Sequence, residues 1–595
     1  MLQRTGKKIL IFLFILNPAL TAGQLKVDSA RFTPLPEIVL LAGETQEPAT
    51  EDFQKLALVF SGVSEERRGR YIEALSVLTG DVTRRFSERG AERELADDLL
   101  RYLHQKYLKR YDAPVTGLDT LLDSGVFNCV SSSILYMIAS DALHVETQGV
   151  RTKDHAFIKV LIAGTWYDVE TTSSYGFNPG TKKEFHNEFG RVTGFAYTPP
   201  GHYADRRDIS RREMLSLMLH NRIADLVKKG LFDQATGPAA DLFELLKSEE
   251  ALTALEGVIS GVARRALDTG QFDIGEAIIS RAVSAYRDFE QFQDLRRVYL
   301  QEWARALIDR NHFDDARTLL RVSRDQGKLP REEYRSLAVL CYLKEAEFVA
   351  NARGPAAALL LLKQARKELG DDPAFAKAET VYAHNHVLAV IEGGSNEKAP
   401  ELLLKYRQEG LLTEKDFTQL YVYDAQKKAE TMAAGHRHDR ALAVIEGAMS
   451  AVGREKALLK SAGVYAYNYA IQLVSAGEFE AARSFTNGEK AAAYLSASTR
   501  ASLRLHLVEA EAETLKVDGE WDKAIGVLEE GLASLGRTAA LLRKYEVMVH
   551  NHMIIYHDRK DWERAEEILL QGLRVHPASA LLKNDLNRIQ KLKIQ

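Results

Sequence analysis

Four residues between positions 129 and 170 carry the side chains of thiol chemistry. Cys129 sits in Gly125-Val-Phe-Asn-Cys-Val-Ser-Ser-Ser133, directly before a helical pattern (SSSILYMIASDAL). A thiol at a helix N-terminus feels the positive end of the helix dipole, which favours the thiolate, the nucleophilic form. His155 opens a strand-like run, His155 to Ile162, and an imidazole there can serve as general base and then as general acid. Asp168 and Glu170 lie in a second run, Trp166 to Thr172; two residues apart on a strand, they face the same side. Either carboxylate can hold the imidazole in its productive tautomer.

These side chains meet only if the chain supplies a helix behind Cys129 and a hairpin behind the other three. Ala163-Gly164-Thr165 reads as the turn between the two runs. Antiparallel pairing then sets His155 beside the acids near the far end of its partner strand. Before this region, helical periodicity dominates as far as about Tyr111, after a Pro-containing lead, Phe32 to Thr50, that reads as irregular. After it, residues 176–211 are rich in Gly, Pro and Asn and read as an ordered covering segment.

Cys129 with its helix, His155-Ala156-Phe157, and Trp166 through Thr172 together resemble the transglutaminase-like superfamily, a papain-related thiol fold. The resemblance covers roughly residues 60–200 and is specific over about 45 of them. It implies an α+β domain with Cys129 as nucleophile and His155 as base. By the Trp166 register it puts the third catalytic position on Glu170, where the family has Asp, with Asp168 as the other candidate.

From Arg212 onward the pattern is helical and repetitive. Gly230-Leu-Phe232-Asp, Gly270-Gln-Phe272-Asp, Asn311-His-Phe313-Asp, Gly477-Glu-Phe479-Glu, Gly519-Glu-Trp521-Asp and Lys560-Asp-Trp562-Glu mark one turn over and over, with weaker versions near Arg353, at Gly394 and at His436. Their spacing is 40 to 42 residues throughout, the signature of a solenoid. Ala235, Ala316, Ala399, Ala482, Ala524 and Ala565 recur five positions after the turn start, where a small side chain lets helices approach. The turns resemble those of the tetratricopeptide repeat, with Trp562, Ala565 and Pro577 in register; an armadillo-like or HEAT-like solenoid is the alternative. The resemblance implies an all-α array of about nine units that receives a protein or peptide partner. It places Asn221, Asn385, Asn468 and Asn551 at the inner-face position of each first helix. The family repeat is about 34 residues; the extra seven are about two helical turns, enough to lengthen each helix by one.

The remaining features narrow the class of protein. Arg4, Lys7 and Lys8 precede an apolar run, Ile9 to Leu16, then Asn17-Pro18 and small residues to Gly23, the plan of a cleavable secretory signal peptide and hence of an exported, periplasmic or secreted protein. The domains expected are therefore 1–23 as signal, 24–211 as the cysteine domain with its helical lead-in, and 212–595 as repeats. A net charge of −4 with 27% charged residues gives no basic face for nucleic acid or a membrane surface. Cys341 lies in a helical pattern and reads as a buried, inert thiol. His384 with His386, and His550 with His552, stand at i and i+2 and so do not share a helix face; they read as structural or peptide-facing, not as metal ligands. His436 and His438 read as solvated turn residues. No phosphate loop, dinucleotide fingerprint or zinc signature appears, so no cofactor is expected. Two functions fit these readings: a thiol-dependent acyl transferase or amide hydrolase whose repeats recruit its partner, or a non-catalytic interaction scaffold of the cell envelope carrying a degenerate thiol domain.

Overall fold

The computed structural model describes residues 24–594 apart from 45–46, 87, 89–92, 154, 181, 195–205 and 395–396. The expected signal peptide, residues 1–23, lies outside the described residues. The chain forms two compact units, Met1–Cys341 and Tyr342–Gln595. The repeat pattern starts at 212, yet the first helical pairs belong to the first unit, because they pack against its N-terminal helices. No helix among the described residues is long and apolar enough to cross a membrane.

The first unit begins with α1 (Pro36–Gly43), α2 (Thr50–Phe60), α3 (Glu65–Phe86) and α4 (Arg93–Lys106). The lead expected to be irregular therefore contains a helix. Pro36 occupies its first position, where a missing N–H costs nothing, and Ile38 and Leu41 are buried beneath it. Next come β1 (Arg110–Tyr111), α5 (Leu118–Ser124), β2 (Val126–Phe127) and α6 (Cys129–Asp141), then β3 (Thr147–Arg151), β4 (Ala156–Ile162) and β5 (Thr165–Val169). The expected covering segment holds α7 (Lys183–Thr193) and a short strand, β6 (Arg207–Ile209).

The strands β5-β4-β3-β6 form one antiparallel sheet. Ala163 and Gly164 close the β4–β5 hairpin with positive φ angles of 46° and 79°, the tight turn whose twist matches the strands it joins. One sheet face is apolar: Ala156, Ile158, Val160 and Ile162 join Val169, Ile209 and the α6 residues Val130, Ile134 and Ile138 in a single core. Every residue of α6 from Val130 to Ser140 is buried, so this helix is central to the unit, and only its end residues Cys129 and Asp141 are partly exposed.

From α8 onward long and short helices alternate. In chain order they are α8 (Arg211–Lys228), α9 (Phe232–Leu246), α10 (Glu249–Thr269), α11 (Phe272–Ala285), α12 (Glu290–Asp309), α13 (Phe313–Asp325), α14 (Arg331–Arg353), α15 (Pro355–Leu369), α16 (Pro373–Glu392), α17 (Lys398–Gln408), α18 (Glu414–Ala434), α19 (His438–Val452), α20 (Lys456–Ser475), α21 (Phe479–Asn487), α22 (Glu489–Tyr494), α23 (Ala497–Val517), α24 (Trp521–Leu535), α25 (Ala539–Asp558), α26 (Trp562–Val575) and α27 (Ala580–Ile594). These are nine pairs and a closing helix among the described residues, a tetratricopeptide-like array; in one pair, α21 and α22 together replace a single short helix. Each turn carries a left-handed residue at the expected place, as at Gly230, Asn311, His436 and Lys560, except that in the fourth it is Gly354.

One detail departs from expectation and a second adds to it. The helices are unequal: the first of each pair has 18 to 23 residues and the second 9 to 15, so the extra length does not fall evenly on both. The turn aromatic starts the short helix but packs onto the next long one. Phe272 stacks on Trp303 at 5.5 Å and Trp521 on His552 at 5.8 Å, while a Cβ on Gly261 would meet the Phe232 ring at 2.2 Å.

Candidate thiol site

Cys129 is the first residue of α6 and is half-buried. Asn128 caps the helix: its side chain accepts from the N–H groups of Val130 and Ser131, each at 3.0 Å, while Ser131 Oγ accepts from Asn128 N. The cap leaves the Cys129 N–H outside its bonds and fixes the cysteine on the helix axis. Asn128 is itself tied to the Ala113 carbonyl at 3.1 Å, next to the β1–β2 pair.

His155 stands just before β4. The pairing of Ile158 with Val169 carries Phe157 opposite position 170, so His155 and Glu170 share one face of the hairpin. There His155 Nε2 meets Glu170 Oε2 at 2.7 Å. The other carboxylate oxygen accepts from Thr172, from its hydroxyl at 2.8 Å and its N–H at 3.2 Å, so Glu170, fully buried, has both oxygens satisfied. Cys129 is the ring's other polar neighbour. Burial opposes protonation of the ring, but the Glu170 charge and hydrogen bonding of the ring with Cys129 and Glu170 outweigh it and hold its pKa well above the ordinary range. Phe189 of α7 covers the ring edge-on at 5.5 Å.

The structure thus brings Cys129, His155 and Glu170 together. Asp168 goes elsewhere: it binds Arg206 through two hydrogen bonds, 2.6 and 2.9 Å, and ties the end of the covering segment to β5.

Several residues of the site gave no signal by type alone. Glu170 lies past the end of β5, in a turn pinned to α6. Thr171 Oγ1 bonds Ser132 Oγ at 2.8 Å and Ser133 Oγ at 3.0 Å. His104 Nε2 donates to the Thr171 carbonyl at 3.0 Å; burial pushes its pKa down, consistent with a neutral ring acting as a donor. Gly176 packs on the Glu170 backbone so closely that a Cβ would lie 1.9 Å from the Glu170 carbonyl oxygen. Tyr111 faces the same centre, its hydroxyl held protonated by burial and by the Cys129 and Glu170 charges. The Ser131-Ser132-Ser133 run and Thr171-Thr172-Ser173 were the readable hint, two polar stretches in an apolar context.

The repeat asparagines are not equivalent. Asn221 donates to Thr116 Oγ1 at 3.2 Å inside the first unit, Asn385 is exposed, and Asn468 and Asn551 are half-buried. Asn468 lines a shallow pocket of about 350 Å³ with Lys460, Tyr467 and Thr499. The repeat histidines have packing partners: His386 meets the Tyr406 hydroxyl at 2.7 Å, His550 meets Asp585 at 2.5 Å, and His552 lies under Trp521. His436 takes the left-handed turn position and His438 opens α19. Cys341 is fully buried, its thiol on the Phe313 carbonyl at 3.6 Å.

Fold and site define a chain with a capped, half-buried thiol beside a carboxylate-bound imidazole, followed by a tetratricopeptide-like helical array. No family model and no curated protein matches it. Among solved structures it is similar to the P58(IPK) TPR domain, at 14% identity over 64% of this chain and 98% of that one, with a TM-score of 0.15. It is also similar to the APC/C hetero-tetramer Cut9-Hcn1, at 10% identity over 64% and 96%, with a TM-score of 0.12. A monomeric IFIT1 mutant with m7Gppp-AAAA matches at 13% identity over 64% and 81%, with a TM-score of 0.13.

Proposed function

We propose that this is an exported thiol enzyme of transglutaminase-like type, an acyl transferase or amide hydrolase, whose helical array recruits a protein or peptide partner. The observation that carries the reading is the 2.7 Å bond between Glu170 and His155 Nε2, on an imidazole that also has Cys129 as a neighbour. In the reaction, Cys129 sulfur attacks an amide carbonyl and gives up its proton to His155. The C–N bond breaks, the leaving amine takes that proton, and a thioester remains on Cys129. Water or a second amine then attacks the thioester, releasing acid or new amide and restoring the thiol. Glu170 keeps the ring oriented and stabilises its cationic form; it does not take up the proton. The N–H of Cys129, at the positive end of α6, faces the developing oxyanion.

A second reading rests on the extent of the array, which takes up more of the chain than the thiol site does: an interaction scaffold whose thiol domain only docks. Incubation with a generic glutamine-containing peptide, followed by rapid acid quench and mass spectrometry, separates the two. The enzyme reading expects an acyl adduct on Cys129 that disappears in His155→Ala. A chain that traps no adduct from peptide, ester or activated amide supports the scaffold.

A further inference from the structure

The segment before α1 is bound in a manner unlike the rest of the core. Its backbone, along with one arginine side chain, is read by a row of polar groups at the first short helices. Leu25 N donates to Gln271 Oε1 at 3.0 Å, and Gln271 Nε2 returns a bond to Leu25 O at 3.3 Å. Lys26 N donates to Asp233, Arg31 N to Thr236 and Leu35 N to Asp241, at 3.0, 2.9 and 2.9 Å. The receiving residues Asp233, Thr236 and Asp241 fall on one side of α9 and are almost completely buried by the segment. Leu25, Ala30 and Phe32 supply apolar anchors between these bonds.

Within this row is a built arginine site. Arg31 grips Asp241 with both guanidinium nitrogens, at 2.6 and 2.9 Å. Gly237, in the middle of α9, leaves the plane free for it: a Cβ there would stand 3.0 Å from the guanidinium. A glycine followed by Pro238 is a costly choice inside a helix, and the seated arginine gives the glycine its reason. Beside the segment, Phe32 and Thr33 share with Ser280, Arg281 and Ser284 of α11 a shallow, open hollow of about 400 Å³.

We propose that the α9–α11 face is a recognition groove for an arginine-bearing peptide, and that residues Leu25–Leu35, which make one 3-10 turn at Val27–Ser29, are its tethered ligand. Backbone recognition fixes the path of the peptide, turn included, and the Asp241–Gly237 cradle selects arginine. The proposal stands apart from the chemistry at Cys129 and survives its failure.

The test uses the full chain and a fluorescent synthetic peptide of residues 24–36. Arg31→Glu in the chain sets two carboxylates against each other and frees the tethered segment. Saturable binding of the peptide to this variant is expected by anisotropy, at least tenfold tighter than to the unsubstituted chain, with loss of binding when the peptide itself carries Glu at position 31. Equal affinity for both chains, or no binding to a folded variant, overturns the groove. Should the variant not fold, hydrogen exchange on the unsubstituted chain decides. Saturating peptide then speeds exchange of the Leu25, Lys26, Arg31 and Leu35 amides together if the segment is a ligand, and leaves them unchanged if it is fixed core.

Discussion

The thiol site and the helical array bury opposite kinds of side chain. Around Cys129 the chain buries Asn128, Ser131, Ser132, Ser133, Glu170, Thr171 and Thr172. In the array, the recurrent contact position is Ala235, Ala316, Ala399, Ala482, Ala524 or Ala565, all fully buried. Where that alanine is missing, at Gly275, a Cβ would already lie 2.4 Å from the Ala266 methyl and the Tyr299 hydroxyl. Buried polar groups are tolerated only when bonded, so the thiol site is specified by individual partners. Alanine contacts are specified by spacing, and spacing repeats. Substitution should therefore act through single bonds in the first region and through bulk in the second.

The largest effect is expected at the buried pair. Glu170→Gln keeps the shape but removes the charge facing His155, and breaking such a pair costs roughly 3–5 kcal/mol. The sign with pH follows from His155, whose folded pKa is raised. The contribution of a raised histidine is complete below its unfolded value of about 6.5 and is lost as pH rises through the folded one. Calorimetry should find the gap in Tm between the two chains widest near pH 6 and closing toward alkaline pH. A gap that widens with pH contradicts the ion pair.

Next comes reactivity. With a thiol-directed electrophile near pH 7, Cys129 should label ahead of the buried Cys341, and His155→Ala should slow Cys129 on the order of 10²-fold. Labelling followed by peptide mapping reads both rates in one chain. A rate at Cys129 that ignores His155 removes the imidazole from the chemistry.

A smaller loss is expected at Thr171, which binds the turn carrying Glu170 to the helix carrying Cys129. Thr171→Val retains the volume and leaves the Ser132 and Ser133 hydroxyls without that partner, a loss of about 2 kcal/mol. Thr171→Ser should restore both stability and Cys129 labelling. Failure of serine to rescue would show that the methyl group, not the hydroxyl, matters there.

What the sequence made legible follows the same division. Cys129, His155 and the acids could be found because their types are rare in such a context and their spacing fits a helix and a hairpin. The Trp166 register pointed to Glu170; the partner that takes Asp168 instead, Arg206, stands 38 residues away and left no local trace. The His104–Thr171 bond, across 67 residues, has no local trace at all. In the array, the turn marks were legible because each needs a left-handed residue. Five of the junctions leading into a long helix carry a local mark too. Ser248, Asp372, Thr413, Ser496 and Thr538 each cap a long helix with a side-chain oxygen, and their positions reveal the unequal lengths. Helix α1 was missed because it is apolar nearly throughout and so shows no period.

The smallest effects test whether one repeat position has one role. Asn221 and Asn385 occupy the same place in their pairs, but Asn221 donates to Thr116 and Asn385 is exposed. Asn221→Ala should cost about 1 kcal/mol, because it removes a bond to the N-terminal region. Asn385→Ala should stay within about 0.5 kcal/mol, as surface changes do. Denaturant titration of both variants reads the difference. If Asn385 serves a partner, its alanine variant weakens binding of that partner while stability holds, whereas Asn221→Ala lowers stability first. Equal costs at the two sites would mean that the repeat position, not its neighbour, sets the role of the asparagine.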